Sequence, residues 1–97
     1  MAPKTTVPGD FHRLVKVVNQ RGLHARAAAK FVKLAETFEA EVTVIKNEVE
    51  VPGRSIMGLM MLAAAPGSEI EIRSEGPDAN DALIALVRLV EDKFHEE

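Results

Sequence analysis

The sequence predicts a two-layer α+β fold, an antiparallel sheet with helices packed on one side, and three observations carry that reading. Short β-branched runs and amphipathic helical stripes succeed one another in the order β-α-β-β-α-β-α. One run, Glu69-Ile70-Glu71-Ile72-Arg73-Ser74, alternates strictly, acid out and isoleucine in, so its strand has one wet face. The chain has 97 residues, 46% of them apolar and 28% charged, which suits one small folded domain.

Residues 1–10 hold two prolines and a glycine and no apolar segment of signal-peptide type. They are expected to form a flexible lead-in to a single domain over residues 11–97. Phe11 to Val18 reads as a strand, with Val15 and Val17 on one face beside Phe11 and Arg13, and with Leu14, Lys16 and Val18 on the other. Asn19-Gln20-Arg21-Gly22 breaks it. From Ala25 to Phe38 the spacing turns helical: Ala28, Phe31, Val32, Ala35 and Phe38 form a stripe, with Lys30, Lys33 and Glu36 opposite. Glu41 to Ile45 and Glu48 to Val51 read as a hairpin around Lys46-Asn47-Glu48, ended by Pro52-Gly53.

Arg54 to Leu62 follows as a short helix with Ser55 as its N-cap and Gly58 as its weak point. Leu59 and Leu62 can be buried together. Ile56, Met57 and Met60 sit elsewhere around the turn, so part of this apolar set, Met57 above all, is expected in solvent. Ala65-Pro66-Gly67-Ser68 is a turn into the alternating strand. Gly76-Pro77-Asp78 then opens a last helix with Leu83, Leu86, Val87, Val90 and Phe94 on one stripe.

The chemistry concentrates at Arg21-Gly22-Leu23-His24-Ala25-Arg26. Gly22 lets the backbone turn, and the helix starting just after it puts His24 beside unpaired amides and the positive end of a helix dipole. That end keeps the ring neutral and nucleophilic, and the Arg26 guanidinium can bind phosphate oxygens. Two readings stand side by side: a surface histidine capping a helix, and a nucleophile inside an anion site. Arg26 is either a solvated first-turn residue or a phosphate ligand. A cation there opposes the dipole, which favours the second. Ser55 is either a plain N-cap or a phosphorylation site. His12 and His95 read as surface residues.

Two segments resemble one family. Gly22-Leu23-His24-Ala25-Arg26 is similar to the active-site motif of the HPr family, the histidine-containing phosphocarriers of the bacterial phosphotransferase system. Arg54-Ser55-Ile56-Met57-Gly58-Leu59-Met60 resembles that family's regulatory-serine segment, at the family's spacing. The similarity runs from about Phe11 to Phe94, and the Ala-rich helix start resembles relatives serving a nitrogen-related branch.

The resemblance implies an open-faced β-sandwich, four antiparallel strands covered on one side by three helices. It implies that His24 accepts a phosphoryl group on Nδ1 from phosphorylated enzyme I and passes it to an enzyme IIA domain. The Ala25 and Arg26 amides and the Arg26 side chain would hold the phosphate, and an exposed histidine at a helix end would release it readily. Ser55 would match the serine modified by HPr kinase/phosphorylase. Arg21, Ala29, Lys33, Arg54, Ile56, Met57 and Met60 would belong to the docking face for these partners, beside the histidine. Two residues depart from the pattern: Ala27 stands where the family usually has proline, and Arg21 where it has a small or polar residue.

Composition narrows the alternatives. With 12 Lys and Arg against 15 Asp and Glu the net charge is −3, and Trp and Tyr are absent, which opposes a nucleic-acid binder. A purely regulatory binding module acting through Ser55 is opposed by the presence of His24. No apolar run reaches the roughly 18 residues of a membrane span. Cysteine is absent, which fits a cytoplasmic setting. No metal or other cofactor is expected; the chain is expected to be a monomer, and the resemblance implies a phosphoryl carrier and not an enzyme.

Overall fold

Alternation along the strands and stripes along the helices divide the molecule into two layers. The structure, a computed structural model, describes residues 10–96. The expected lead-in therefore lies outside the described residues except for Asp10, which opens the first strand; Glu97 also lies outside. Strands β1 (Asp10–Lys16), β2 (Glu41–Lys46), β3 (Val49–Pro52) and β4 (Glu69–Glu75) form one antiparallel sheet in the order β1-β4-β2-β3. Helices α1 (Ala25–Ala35), α2 (Ile56–Met61) and α3 (Ala79–Glu91) supply the second layer. This is the architecture that the sequence predicts.

Register decides which face is covered. Val15 lies opposite Ile70, Val44 opposite both Ile72 and Val51, and Val42 opposite Ser74, and all of these are buried. Their neighbours Leu14, Lys16 and Glu69 are exposed, so the far face is open. Phe11 and Arg13 share the covered face by register but are exposed, on the edge strand of the sheet. Phe31, Leu59, Ile70, Ile72, Leu86 and Phe94 are fully buried between the layers. Each contributes about 1.5–3 kcal/mol by leaving water.

Several boundaries differ from the sequence reading, for physical reasons. Lys46 stays in β2, and the hairpin turn is Asn47-Glu48, with φ of 51° and 70°. Two positive φ values make the tight turn whose twist matches the strands, so Glu48 belongs to the turn and not to β3. Helix α1 stops at Ala35, which leaves Phe38 half-buried in the following turn. Ala27 joins the buried stripe, and the helix start is regular with alanine there. Helix α3 stops at Glu91. Phe94 is buried as expected, but from a separate turn, Lys93–His95, whose backbone is left-handed.

Candidate functional site

The site begins with a glycine. Gly22 has φ +67°, and a Cβ there would lie 2.5 Å from the Ala64 carbonyl oxygen. The next amide, Leu23 N–H, donates to that same oxygen at 2.9 Å. The chain leaving α2 and the chain entering α1 are thus in backbone contact, and only glycine permits it. His24 then takes the N-cap position of α1, with extended backbone (φ −83°, ψ −179°), and its carbonyl accepts the first helical bond from Ala28 N–H at 2.8 Å.

Both ring nitrogens of His24 are engaged. Arg26 N–H lies 3.2 Å from Nδ1, and the Glu96 Oε2 lies 2.6 Å from Nε2. An amide can only donate and an ionised carboxylate can only accept. The neutral ring therefore carries its proton on Nε2, and the lone pair on Nδ1 faces the helix end. Protonating Nδ1 would set two donors against each other. The ring is covered more than an exposed histidine would be: its side chain is 18% accessible, because the Glu96 carboxylate closes the Nε2 edge.

Asn19, fully buried, ties the cluster together. Its Nδ2 donates to the Gly22 carbonyl at 2.8 Å and to Glu96 Oε2 at 3.0 Å. The Glu96 carboxyl is held below its ordinary value of 4.5, first by the hydrogen bond from His24, against a desolvation cost, then by Asn19, by the charge of His24 and by that of Arg21. A carboxylate with a lowered pKa stabilises the fold fully above its ordinary value and loses that contribution as the pH falls through the lowered one. The melting-temperature gap between the wild type and Glu96→Gln is therefore expected to be full at neutral pH and to close in acid, below 4.5. Thermal melts across that range check it.

The remaining residues singled out in the sequence fall in several places. Ala25, Arg26, Ala29 and Lys33 are exposed on α1, and Arg26 forms no ion pair among the described residues. Arg21 is exposed and acts electrostatically on Glu96. Lys30 is engaged, its Nζ donating to the Phe94 carbonyl at 2.8 Å. Ser55 caps α2, its Oγ accepting from Gly58 N–H at 2.9 Å. Leu59 and Leu62 are buried, while Ile56, Met57 and Met60 are exposed. Met61, 76% accessible, extends the patch.

Helix α2 has a direction that spreads these residues out. Its end after Met61 leads to Ala64, which is bonded to the loop before His24. Its start follows Arg54, which shares a shallow cleft with Glu39, Glu41 and Glu75, just past the far end of α1. The 11 residues of α1 span about 16 Å. Arg54 and Ser55 therefore sit away from His24, and the last turn of α2 adjoins it.

Sequence reasoning missed Glu96, Asn19 and Met61. Met61 was within reach, since it sits four residues after Met57 on the face away from Leu59. The other two had no local signal: Glu96 lies 72 residues from His24 and 77 from Asn19.

Comparison with known proteins shows the family and its fold. Residues 11–92 match the family model described as "PTS HPr component phosphorylation site". The phosphocarrier protein HPr of Neisseria meningitidis serogroup A is 49% identical over 84% of this chain and 92% of its own. The phosphocarrier protein NPr of Shewanella violacea is 43% identical over 87% and 92%. The crystal structure of HPr-C-His from Thermoanaerobacter tengcongensis superposes with a TM-score of 0.85 at 40% identity, over 90% of this chain and 98% of that one.

Proposed function

The chain belongs to the HPr family, the phosphocarriers of the phosphotransferase system, and on that premise we propose that His24 takes a phosphoryl group from phosphorylated enzyme I and hands it to an enzyme IIA domain. Members of this family carry phosphate and are not catalytic enzymes. The observation that carries the proposal is the amide of Arg26 on Nδ1. It marks the nitrogen that carries a lone pair rather than a proton, at a helix N-terminus where negative charge is favoured.

The chemistry follows from that placement. The Nδ1 lone pair forms the bond to phosphorus while the donor's bond to phosphorus breaks, its electron pair returning to the donor. The Arg26 amide, released from Nδ1, is placed to bond a phosphate oxygen, with the Ala25 amide beside it and the Arg26 guanidinium in solvent above. The site is shallow, so these few donors hold the group loosely enough to pass it on.

The apolar patch of Ile56, Met57, Met60 and Met61 supplies adaptable contact area for successive partners. Exposed Arg21, Arg26 and Lys33, with Ala29 between them, steer acidic surfaces. This reading places the protein in the cytoplasm as a monomer that meets each partner in turn.

Ser55 is the regulatory position of this reading, the target of an HPr kinase/phosphorylase. Charge at that cap sits at the head of the patch and opposes an acidic partner. Ser55→Asp is expected to slow phosphoryl uptake from enzyme I about 10-fold while the melting temperature stays close to that of the wild type. Initial rates of uptake check it, and a wild-type rate would remove Ser55 from the docking face.

The carrier reading itself is tested by incubating the protein with phosphoenolpyruvate and enzyme I. One phosphate per chain, labile in acid and stable in base, is expected. No uptake would overturn the reading.

A further inference from the structure

We propose that Glu96 is a positioning residue for phosphoryl acceptance, held against His24 Nε2 by an anchored and strained C-terminal turn so that the ring is fixed with its Nδ1 lone pair facing the helix end and can take on positive charge as the N–P bond forms. The inference rests on His24 being the acceptor, and it adds a residue that neither motif contains.

Four features of the turn support it. The contact is short, 2.6 Å from Glu96 Oε2 to Nε2, and Asn19 Nδ2 fixes the same oxygen from inside the protein. The turn is anchored: the Phe94 side chain is fully buried in the core, and its carbonyl accepts from Lys30 Nζ at 2.8 Å. It is also strained. Lys93, Phe94 and His95 have φ of 59°, 55° and 61°, three successive left-handed residues with no glycine among them. Such conformations normally occur singly, and they persist where the surroundings over-determine them. The charged groups facing Glu96 are His24 and Arg21 from the loop before α1 and Lys93 from its own turn, where Glu96 and Lys93 line one cleft with Val18 and Gln20. Two of these are permanent cations, and they favour the ionised carboxylate.

Strain alone does not choose a direction for the turn. What chooses it is the pair of anchors on either side of His24: Phe94 under α1, and Asn19 under the loop. Together they aim a carboxylate at the ring edge opposite the attacking nitrogen. As the bond from Nδ1 to phosphorus forms, the ring keeps its Nε2 proton and becomes cationic, while the donor loses its bond to phosphorus and recovers the electron pair. Glu96 faces the resulting Nε2–H and stabilises the charge, as a carboxylate does behind a catalytic histidine.

The test uses the full chain with phosphoenolpyruvate and enzyme I, together with 15N-labelled histidine. Glu96→Ala is expected to take up phosphate about 10-fold more slowly than the wild type, as removal of a charge-assisted hydrogen bond implies. Its His24 Nε2–H proton signal is expected to lose its hydrogen-bonded downfield position. Glu96→Gln, which keeps an acceptor oxygen without the charge, is expected to recover part of the signal and less of the rate. If the wild type takes up phosphate and Glu96→Ala matches its rate, or leaves the ring signals unchanged, the positioning role is overturned and the carrier reading stands. If the wild type takes up none, both fall.

Discussion

Replacing His24 by alanine is expected to abolish phosphate uptake through enzyme I, while His12→Ala leaves it at the wild-type rate. The contrast is informative because both histidines face a carboxylate. His12 on β1 lies 3.5 Å from Glu71, on an exposed strand. Among the described residues, no helix starts beside it and no backbone amide donates to its ring. His24 has both, and its carboxylate is nearer, at 2.6 Å. On the proposed reading a carboxylate neighbour alone does not make the acceptor; the amide on Nδ1 and the helix N-terminus do. Uptake of acid-labile phosphate by the two variants, measured side by side, separates these contributions.

Gly22→Ala is expected to destabilise the protein by about 2–3 kcal/mol and to impair uptake as well. Two costs add. The residue would be forced to keep φ +67°, and its Cβ would lie 2.5 Å from the Ala64 carbonyl oxygen, a backbone atom that cannot swing aside. Relief requires the loop to move, and that loop carries the Leu23 hydrogen bond and the Asn19 contact to the Gly22 carbonyl. His24 follows directly. Gly67→Ala provides the comparison: its φ is +92°, but no heavy atom lies within 4 Å of its Cβ position. It carries the conformational cost alone, and urea unfolding of the two variants distinguishes strain from collision.

What the sequence made legible is local and periodic. The Glu69 to Ser74 alternation announced a strand with one wet face, and burial follows it residue by residue. The stripe through Ala28, Phe31, Val32 and Ala35 announced α1. The Gly22 to Arg26 motif announced a histidine at a helix start, and the cap geometry is there. Legibility failed where long-range contacts override local preference. Phe94 fits the stripe of α3 by spacing, yet it reaches the core from a left-handed turn with no glycine or proline to signal it. Glu96 and Asn19 read as tail and turn residues, since nothing near either shows that the fold brings both to His24. Glu48 read as both the end of the turn and the start of the strand, because Val49 and Val51 follow it at strand spacing; the two-residue hairpin puts it in the turn alone.

The family resemblance supplied the functional vocabulary, and the geometry redistributed it. The patch adjoining His24 is the last turn of α2, with Met60 and Met61, whereas Arg54 and Ser55 stand at the other end of that helix. On the proposed reading, phosphate at Ser55 would act through the docking face and not by direct repulsion at the acceptor nitrogen.

His24 Nδ1 as the acceptor is tested most directly by NMR of the phosphorylated protein carrying 15N-labelled histidine. Phosphorus is expected to couple to Nδ1 of His24, with Nε2 still bearing its proton toward Glu96. Phosphorus bound to Nε2, or to a ring nitrogen of His12 or His95, would contradict it.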